Sequence, residues 1–239
     1  MNRNHCFFIK SFIMTLISKV IGLSLSIFVA STAIAAGGVQ LDRTRVHMKD
    51  GATKTAYAVI NNSDGPVLAS GTITNLDGSP TTAMTVSPSI YQVKSKGTHQ
   101  GSILLLEPLP QDRESVFWLN VKTITPEKTD GSTSNMQFAI GQRIKVFYRP
   151  KSVKQDTRIA AEKLLWTRTK DGIKAVNSSQ VSLTLAEISD GNLKKELSDV
   201  LLPMSEIEWK YKLSNANEMT FTYVDEYGNF VKQPLKIKN

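Results

Sequence analysis

From Ala56 onward the chain alternates between short β-prone runs and polar turn clusters. Ala56–Ile60 predicts a strand, stopped by Asn61-Asn62-Ser63-Asp64-Gly65-Pro66. Val67–Thr74 predicts the next, stopped by Asn75-Leu76-Asp77-Gly78-Ser79-Pro80. Ala83–Val86, Ser89–Val93, Gly101–Leu106 and Val116–Val121 follow. A loop rich in Thr, Ser, Gly and charge covers 125–134, and a long strand then runs from Met136 to Tyr148. It ends at Arg149-Pro150, where proline cannot donate to a ladder. Further runs are Lys163–Arg168, Gln180–Ile188, Asn192–Leu197, Glu206–Leu213 and Met219–Val224. Asp171-Gly172, Asp190-Gly191 and Tyr227-Gly228-Asn229 supply turns between them. No segment before residue 150 carries a long helical period, and no internal repeat of fixed period is visible. Short strands at this spacing predict an all-β protein of two sandwiches. The first is expected over 36–150 and a second, smaller one over 159–239, joined by a polar linker at 151–158.

The leader has a different pattern. Lys10 and Lys19 precede an uncharged apolar run, Val20 to Ala35, which closes on Ala33-Ile34-Ala35. A membrane-spanning helix needs about 20 apolar residues. The shorter run with its small-x-small end predicts a signal peptide over 1–35, cleaved on export. Initiation at Met1 or at Met14 is compatible with it. The single cysteine, Cys6, falls within this leader. The mature protein therefore has neither a disulfide nor thiol chemistry, and each sandwich depends on its own core.

Composition is that of a globular protein, 41% hydrophobic and 21% charged. Loss of the leader removes Arg3, Lys10 and Lys19 and no acid, so the net charge falls from +8 to +5. The lysines are scattered, which predicts a solvated surface and no nucleic-acid partner. Only His47 and His99 survive in the mature chain, and no metal-ligand spacing is present. There is no G-x-S-x-G, Walker A or G-x-G-x-x-G motif, and no acid/base carboxylate pair. The residues give no reason to expect an enzyme, a metal or a cofactor. Asn61-Asn62-Ser63 and Asn177-Ser178-Ser179 match the glycosylation triplet, in turn-like segments.

Three segments stand out: Val39-Gln40-Leu41-Asp42-Arg43-Thr44-Arg45, Leu109-Pro110-Gln111-Asp112-Arg113-Glu114-Ser115-Val116-Phe117-Trp118-Leu119-Asn120, and Ile144-Lys145-Val146-Phe147-Tyr148-Arg149-Pro150. Together they resemble the PapD-like periplasmic pilus chaperones. In the second half, Leu201-Leu202-Pro203-Met204-Ser205 and Asp225-Glu226-Tyr227-Gly228 are similar to the family's turns. Asn177-Ser178-Ser179-Gln180 and Ser87-Pro88-Ser89 depart from it. The resemblance implies two immunoglobulin-like domains in an L-shaped arrangement, located in the periplasm. It implies pilin (fimbrial) subunits as partners, capped by donor-strand complementation and delivered to an outer-membrane usher for fimbria assembly. The short, cysteine-free loop at 125–134 resembles the short-loop subclass. The alternative from a different class is a secreted structural or adhesive β-sandwich protein.

The resemblance also assigns residues. Arg45 and Lys145 stand where the family anchors the subunit's terminal carboxylate; alone, either is an ordinary solvated strand cation, and Arg43 is also available. Met136, Phe138 and Ile140 stand in the donor strand, although their period-two spacing fits a strand facing its own core equally well. Strict alternation puts Lys145 on the face opposite these three. Either Gly141 marks a bulge that changes the register, or the two features use different faces. Glu114, Arg149 and Glu226 match an interdomain charge network, with Asp225 as a competitor for Glu226; otherwise they are three surface charges worth little.

Overall fold

The computed structural model describes residues 38–125, 139–191, 193–210 and 219–237. Two β-sandwiches follow one another along the chain. The first holds β1 (Val39–Leu41), β2 (Arg45–Met48), β3 (Lys54–Asn61), β4 (Val67–Thr74), β5 (Met84–Ser87), β6 (Ile90–Val93), β7 (Thr98–Leu105), β8 (Ser115–Ile124) and β9 (Ala139–Tyr148). Its sheets have the orders β1-β3-β7-β5 and β2-β9-β8-β4-β6. The second holds β10 (Leu165–Arg168), β11 (Gly172–Asn177), β12 (Leu183–Ser189), β13 (Lys194–Glu196), β14 (Val200–Leu201), β15 (Ser205–Lys210), β16 (Met219–Val224) and β17 (Phe230–Leu235). Its sheets run β10-β11-β15 and β13-β12-β16-β17, with β14 also paired to β12. Among the described residues, no helix is long and apolar enough to cross a membrane.

Period-two alternation sorts side chains between core and solvent, as in β4, where Val67, Ala69 and Ile73 are buried and Leu68 and Thr72 exposed. Tyr57 lies at the centre of the first core, its hydroxyl 3.1 Å from that of Tyr91. Glycine makes room for it: a Cβ at Gly101 would stand 2.6 Å from the Tyr57 ring, and one at Gly71 would stand 2.8 Å from its hydroxyl. Trp166, packed near Trp209 and Phe221, holds the corresponding place in the second core.

Several strands, β1, β11, β14 and β17 among them, lie where the alternation pattern predicts none. A short helix, α1 (Thr157–Glu162), follows the polar segment after Pro150, with Asp156 as its cap accepting from the Ile159 amide at 2.8 Å. The chain segment that carries β1 and β2 changes sheets between them. β1 pairs with β3, whereas β2 joins the other sheet as a parallel neighbour of β9. That switch positions the site described below.

The two Asn-x-Ser triplets are structural in both domains. Asn61 is 0% and Asn177 1% exposed, so neither carboxamide is open to glycosylation in the folded chain. Asn61 Nδ2 donates to the carbonyls of Gly65 (2.8 Å) and Lys94 (3.0 Å), and its Oδ1 accepts from the Ser63 amide at 3.0 Å. Asn177 repeats this with Val181 (2.8 Å), Leu202 (3.0 Å) and the Ser179 amide (3.0 Å). Each triplet thus ties one strand end to two other segments. Asn61→Ala or Asn177→Ala leaves buried carbonyls unpaired and is expected to cost about 1–3 kcal/mol. Urea unfolding of each variant checks this; no change in midpoint would contradict the pinning role.

Candidate functional site

Parallel pairing of β2 with β9 sets Arg45 directly beside Lys145. Both side chains are half-buried. Burial weakens the hold of each on its proton, and the Arg45 charge lowers the Lys145 pKa further. Lys145 lies 4.9 Å from the centre of the Trp118 ring, on the strand opposite. Arg45 Nη1 donates to the Asp225 carbonyl at 2.8 Å, while its Nε is buried without a partner. Neither cation has a carboxylate partner among the described residues. The Asp225 carboxylate pulls on Arg45 only through space, without an ion pair. Two half-buried cations side by side suit an anion, and the arginine fork suits a carboxylate. Arg43, by contrast, is exposed and closed on Asp42 at 2.6 Å.

The other half of β9 leaves one edge unpaired. β8 accompanies β9 throughout, with unbroken register from Ala139 opposite Ile124 to Tyr148 opposite Ser115. No bulge occurs at Gly141, so Ile140 and Lys145 point to opposite faces. β2 covers only Lys145–Tyr148. Ala139–Ile144 therefore has no strand on its second side among the described residues. Ile140 is 52% exposed there. Met136 and Phe138 lie outside the described residues. The core-side neighbour Gln142 fastens β9 to β1, accepting from the Leu41 amide at 3.0 Å and donating to the Val39 carbonyl.

Glu114, Arg149 and Glu226 meet where the two sandwiches touch. Arg149 Nε and Nη2 both donate to Glu114 Oε1, at 3.1 and 3.0 Å. Glu114 Oε2 accepts from the Ser182 amide at 2.9 Å. Arg149 Nη1 reaches Glu226, whose other oxygen takes Lys49. Glu114 is 2% exposed, and burial raises its pKa against the pull of Arg149 and the Ser182 amide. Burial also opposes the charge on Glu226, yet Lys49 and Arg149 hold its carboxyl below the usual range. Asp225 takes no part through its side chain, which accepts from the Tyr227 and Asn229 amides of its own turn.

Comparison with known proteins places this geometry. Residues 38–154 match the family described as "Pili and flagellar-assembly chaperone, PapD N-terminal domain". Residues 159–234 match "Pili assembly chaperone PapD, C-terminal domain". The chain belongs to the PapD family of pilus-assembly chaperones. The chaperone protein FimC of Escherichia coli K12 is 33% identical over 199 residues, covering 81% of this chain and 82% of FimC. The crystal structure of the periplasmic chaperone SfaE aligns with a TM-score of 0.68 at 27% identity, over 82% of this chain and 98% of SfaE. That of the E. coli chaperone DraB gives 0.74 at 24% identity, over 85% and 98%, and shows the same fold. PapD-family members are chaperones, not enzymes.

Several participants in this PapD-family site are missing from the sequence reading. Lys49, the Ser182 amide and the Asp225 carbonyl join through tertiary contact, and no local pattern marks them. Trp118 sits within a quoted motif, but its place beside Lys145 follows only from strand register. His47 is the other omission. Its ring stacks on Phe147 at 4.7 Å between centres, and both nitrogens are buried without partners. Burial pushes its pKa from 6.5 down to about 4, with Glu226 opposing that shift and Arg149, Lys49 and Arg45 adding to it.

Arg149→Ala is expected to cost about 3–5 kcal/mol, because it strands Glu114 as an unpaired buried charge. Chemical denaturation measures it, and a loss below 1 kcal/mol would place the network among weak surface pairs. His47 adds a pH dependence. Above pH 6.5 the ring is neutral in both folded and unfolded chains. Between pH 6.5 and about 4 the unfolded chain binds a proton that the folded ring refuses, so stability falls as pH falls. The accumulated loss is up to about 3 kcal/mol. His47→Phe keeps a ring on Phe147 and should flatten that slope; thermal melts across the window that leave it unchanged would assign the slope elsewhere.

Proposed function

We propose that this chain is a periplasmic chaperone of the short-loop subclass, exported through cleavage of residues 1–35. It captures pilin subunits by lending them a strand and delivers them to an outer-membrane usher. The observation that carries the reading is the Arg45–Lys145 pair, two half-buried cations side by side with no ion pair to either among the described residues. The carboxylate that completes it is the C-terminus of the subunit. A chain fixed there runs along β9, where the edge from Ala139 to Ile144 is unpaired among the described residues. Backbone bonds to that edge supply affinity, and alternate side chains entering the subunit supply the apolar contacts. Chaperone–pilin complementation is itself one of the standard examples of this binding mode. Met136, Phe138 and Ile140 have the required spacing, and burying each contributes about 1.5–3 kcal/mol. The exposure of Ile140 supports the assignment. Glu114, Arg149 and Glu226 hold the two domains so that both flank the bound chain end.

Co-expression with a cognate subunit and purification from the periplasm tests the reading. The wild type should emerge in a soluble equimolar complex. Arg45→Ala and Lys145→Ala each remove one side of a desolvated charge contact, typically worth about 2–5 kcal/mol. Both should lose the complex while retaining a folded circular-dichroism spectrum. Phe138→Glu should block capture, and Gln137→Ala should not. Normal binding by both anchor variants would refute the anchoring, and normal binding by Phe138→Glu would refute the donor strand.

A further inference from the structure

Beside Arg45 lies a cleft that carboxylate anchoring leaves empty. It occupies about 560 Å³ between β2 and the turn joining β16 to β17, and Arg45, His47, Lys49, Glu226 and Tyr227 line it. Its charges are largely satisfied by one another: Arg43 pairs with Asp42, and Lys49 with Glu226. Polar and apolar atoms share the lining in similar measure, and the His47 and Tyr227 side chains are part of it. Both His47 nitrogens are shielded from solvent, so the imidazole shows the cleft carbon rather than polar atoms. Its stack on Phe147 fixes the ring plane. From the second domain comes Tyr227, 84% exposed.

The turn that carries Tyr227 is rigidly built. Asp225 Oδ1 accepts from the Tyr227 amide at 2.9 Å and from the Asn229 amide at 2.8 Å. Gly228 adopts φ +94°, and it approaches Thr44, the residue before β2, so closely that a Cβ there would lie 3.0 Å from the Thr44 hydroxyl. The backbone that carries the ring is thus held beside Thr44 before any ligand arrives. Exposed aromatic rings bury a large area with few torsions to fix and recur as anchor points of interfaces.

We propose that this cleft is a side-chain pocket for the last residue of the bound polypeptide, taking an aromatic or large apolar side chain against Tyr227 and His47. The inference rests on the anchoring described above: a carboxylate held by Arg45 and Lys145 sits at the cleft's border, and the side chain on the same residue is the group that reaches into it. A terminal glycine would leave both rings uncovered.

Fluorescence anisotropy with the mature chain and short labelled peptides, identical except for a C-terminal Phe or Gly, tests this. The wild type should bind the Phe-ended peptide about 3- to 10-fold more tightly, the range expected of one aromatic contact. Tyr227→Ala should erase that preference without weakening the Gly-ended peptide, and Tyr227→Phe should keep it. No preference in the wild type, no measurable binding of either peptide, or equal weakening of both by Tyr227→Ala would overturn the pocket. Arg45→Ala separates the two ideas. It should weaken both peptides alike; if it binds normally while Tyr227→Ala still erases the preference, the carboxylate anchor falls and the pocket stands.

Discussion

In the sheet that carries β9, register sets Arg45 beside Lys145, and like charges facing across neighbouring strands repel. The fold compensates without an ion pair to either cation. Trp118 offers its ring to Lys145, and the Asp225 carbonyl takes one arm of Arg45. These neutral partners orient the cations without neutralising them, and the Asp225 carboxylate offsets Arg45 only from a distance. The sheet is therefore less stable empty than it would be with an anion bound, and a carboxylate entering the site relieves repulsion as well as forming bonds. An Asp or Glu in place would stabilise the free chain and close the site to any partner.

Where the two sandwiches touch, the opposite choice is made. Arg149, four residues beyond Lys145, is saturated by Glu114 and Glu226. Glu114 also accepts from the Ser182 amide, so its buried charge has partners from both domains. Buried pairs of this kind add little net stability but penalise any arrangement that separates them. They favour one seating of the domains over its alternatives. Arg45 joins them through the Asp225 carbonyl, so the guanidinium beside Lys145 also touches the second domain.

Much of this is legible in the sequence, and the gaps have physical causes. Val67–Thr74 and Met219–Val224 are bounded by turn residues and alternate cleanly, and they are found as expected. β11 begins at Gly172, and the preceding Asp-Gly reads as a turn signal that hides the strand behind it. β17 contains Pro234, which argues against a strand, yet β17 lies at a sheet edge, where proline is tolerated. The chain's two Asn-x-Ser pins escape a search for periodic repeats because they share hydrogen-bond geometry, not spacing. The ambiguity over Gly141 is a matter of register, and only the pairing with β8 resolves it.

That resolution sets what each end of β9 presents. On one face of β9, burial deepens along the strand: Ile140 is exposed, Ile144 packs against the core, and Val146 and Tyr148 are buried. On the other face stand Arg143 and Lys145, both over Trp118. The end near Tyr148 is therefore fixed by its own domain and by β2, while the end near Ala139 carries apolar surface out of that core. A bulge at Gly141 would have turned Ile140 toward the cation face and cut this apolar row. With the pleat unbroken, Ile140 and the cations stay on separate faces. A partner strand lying along the open edge would meet the first without displacing the second.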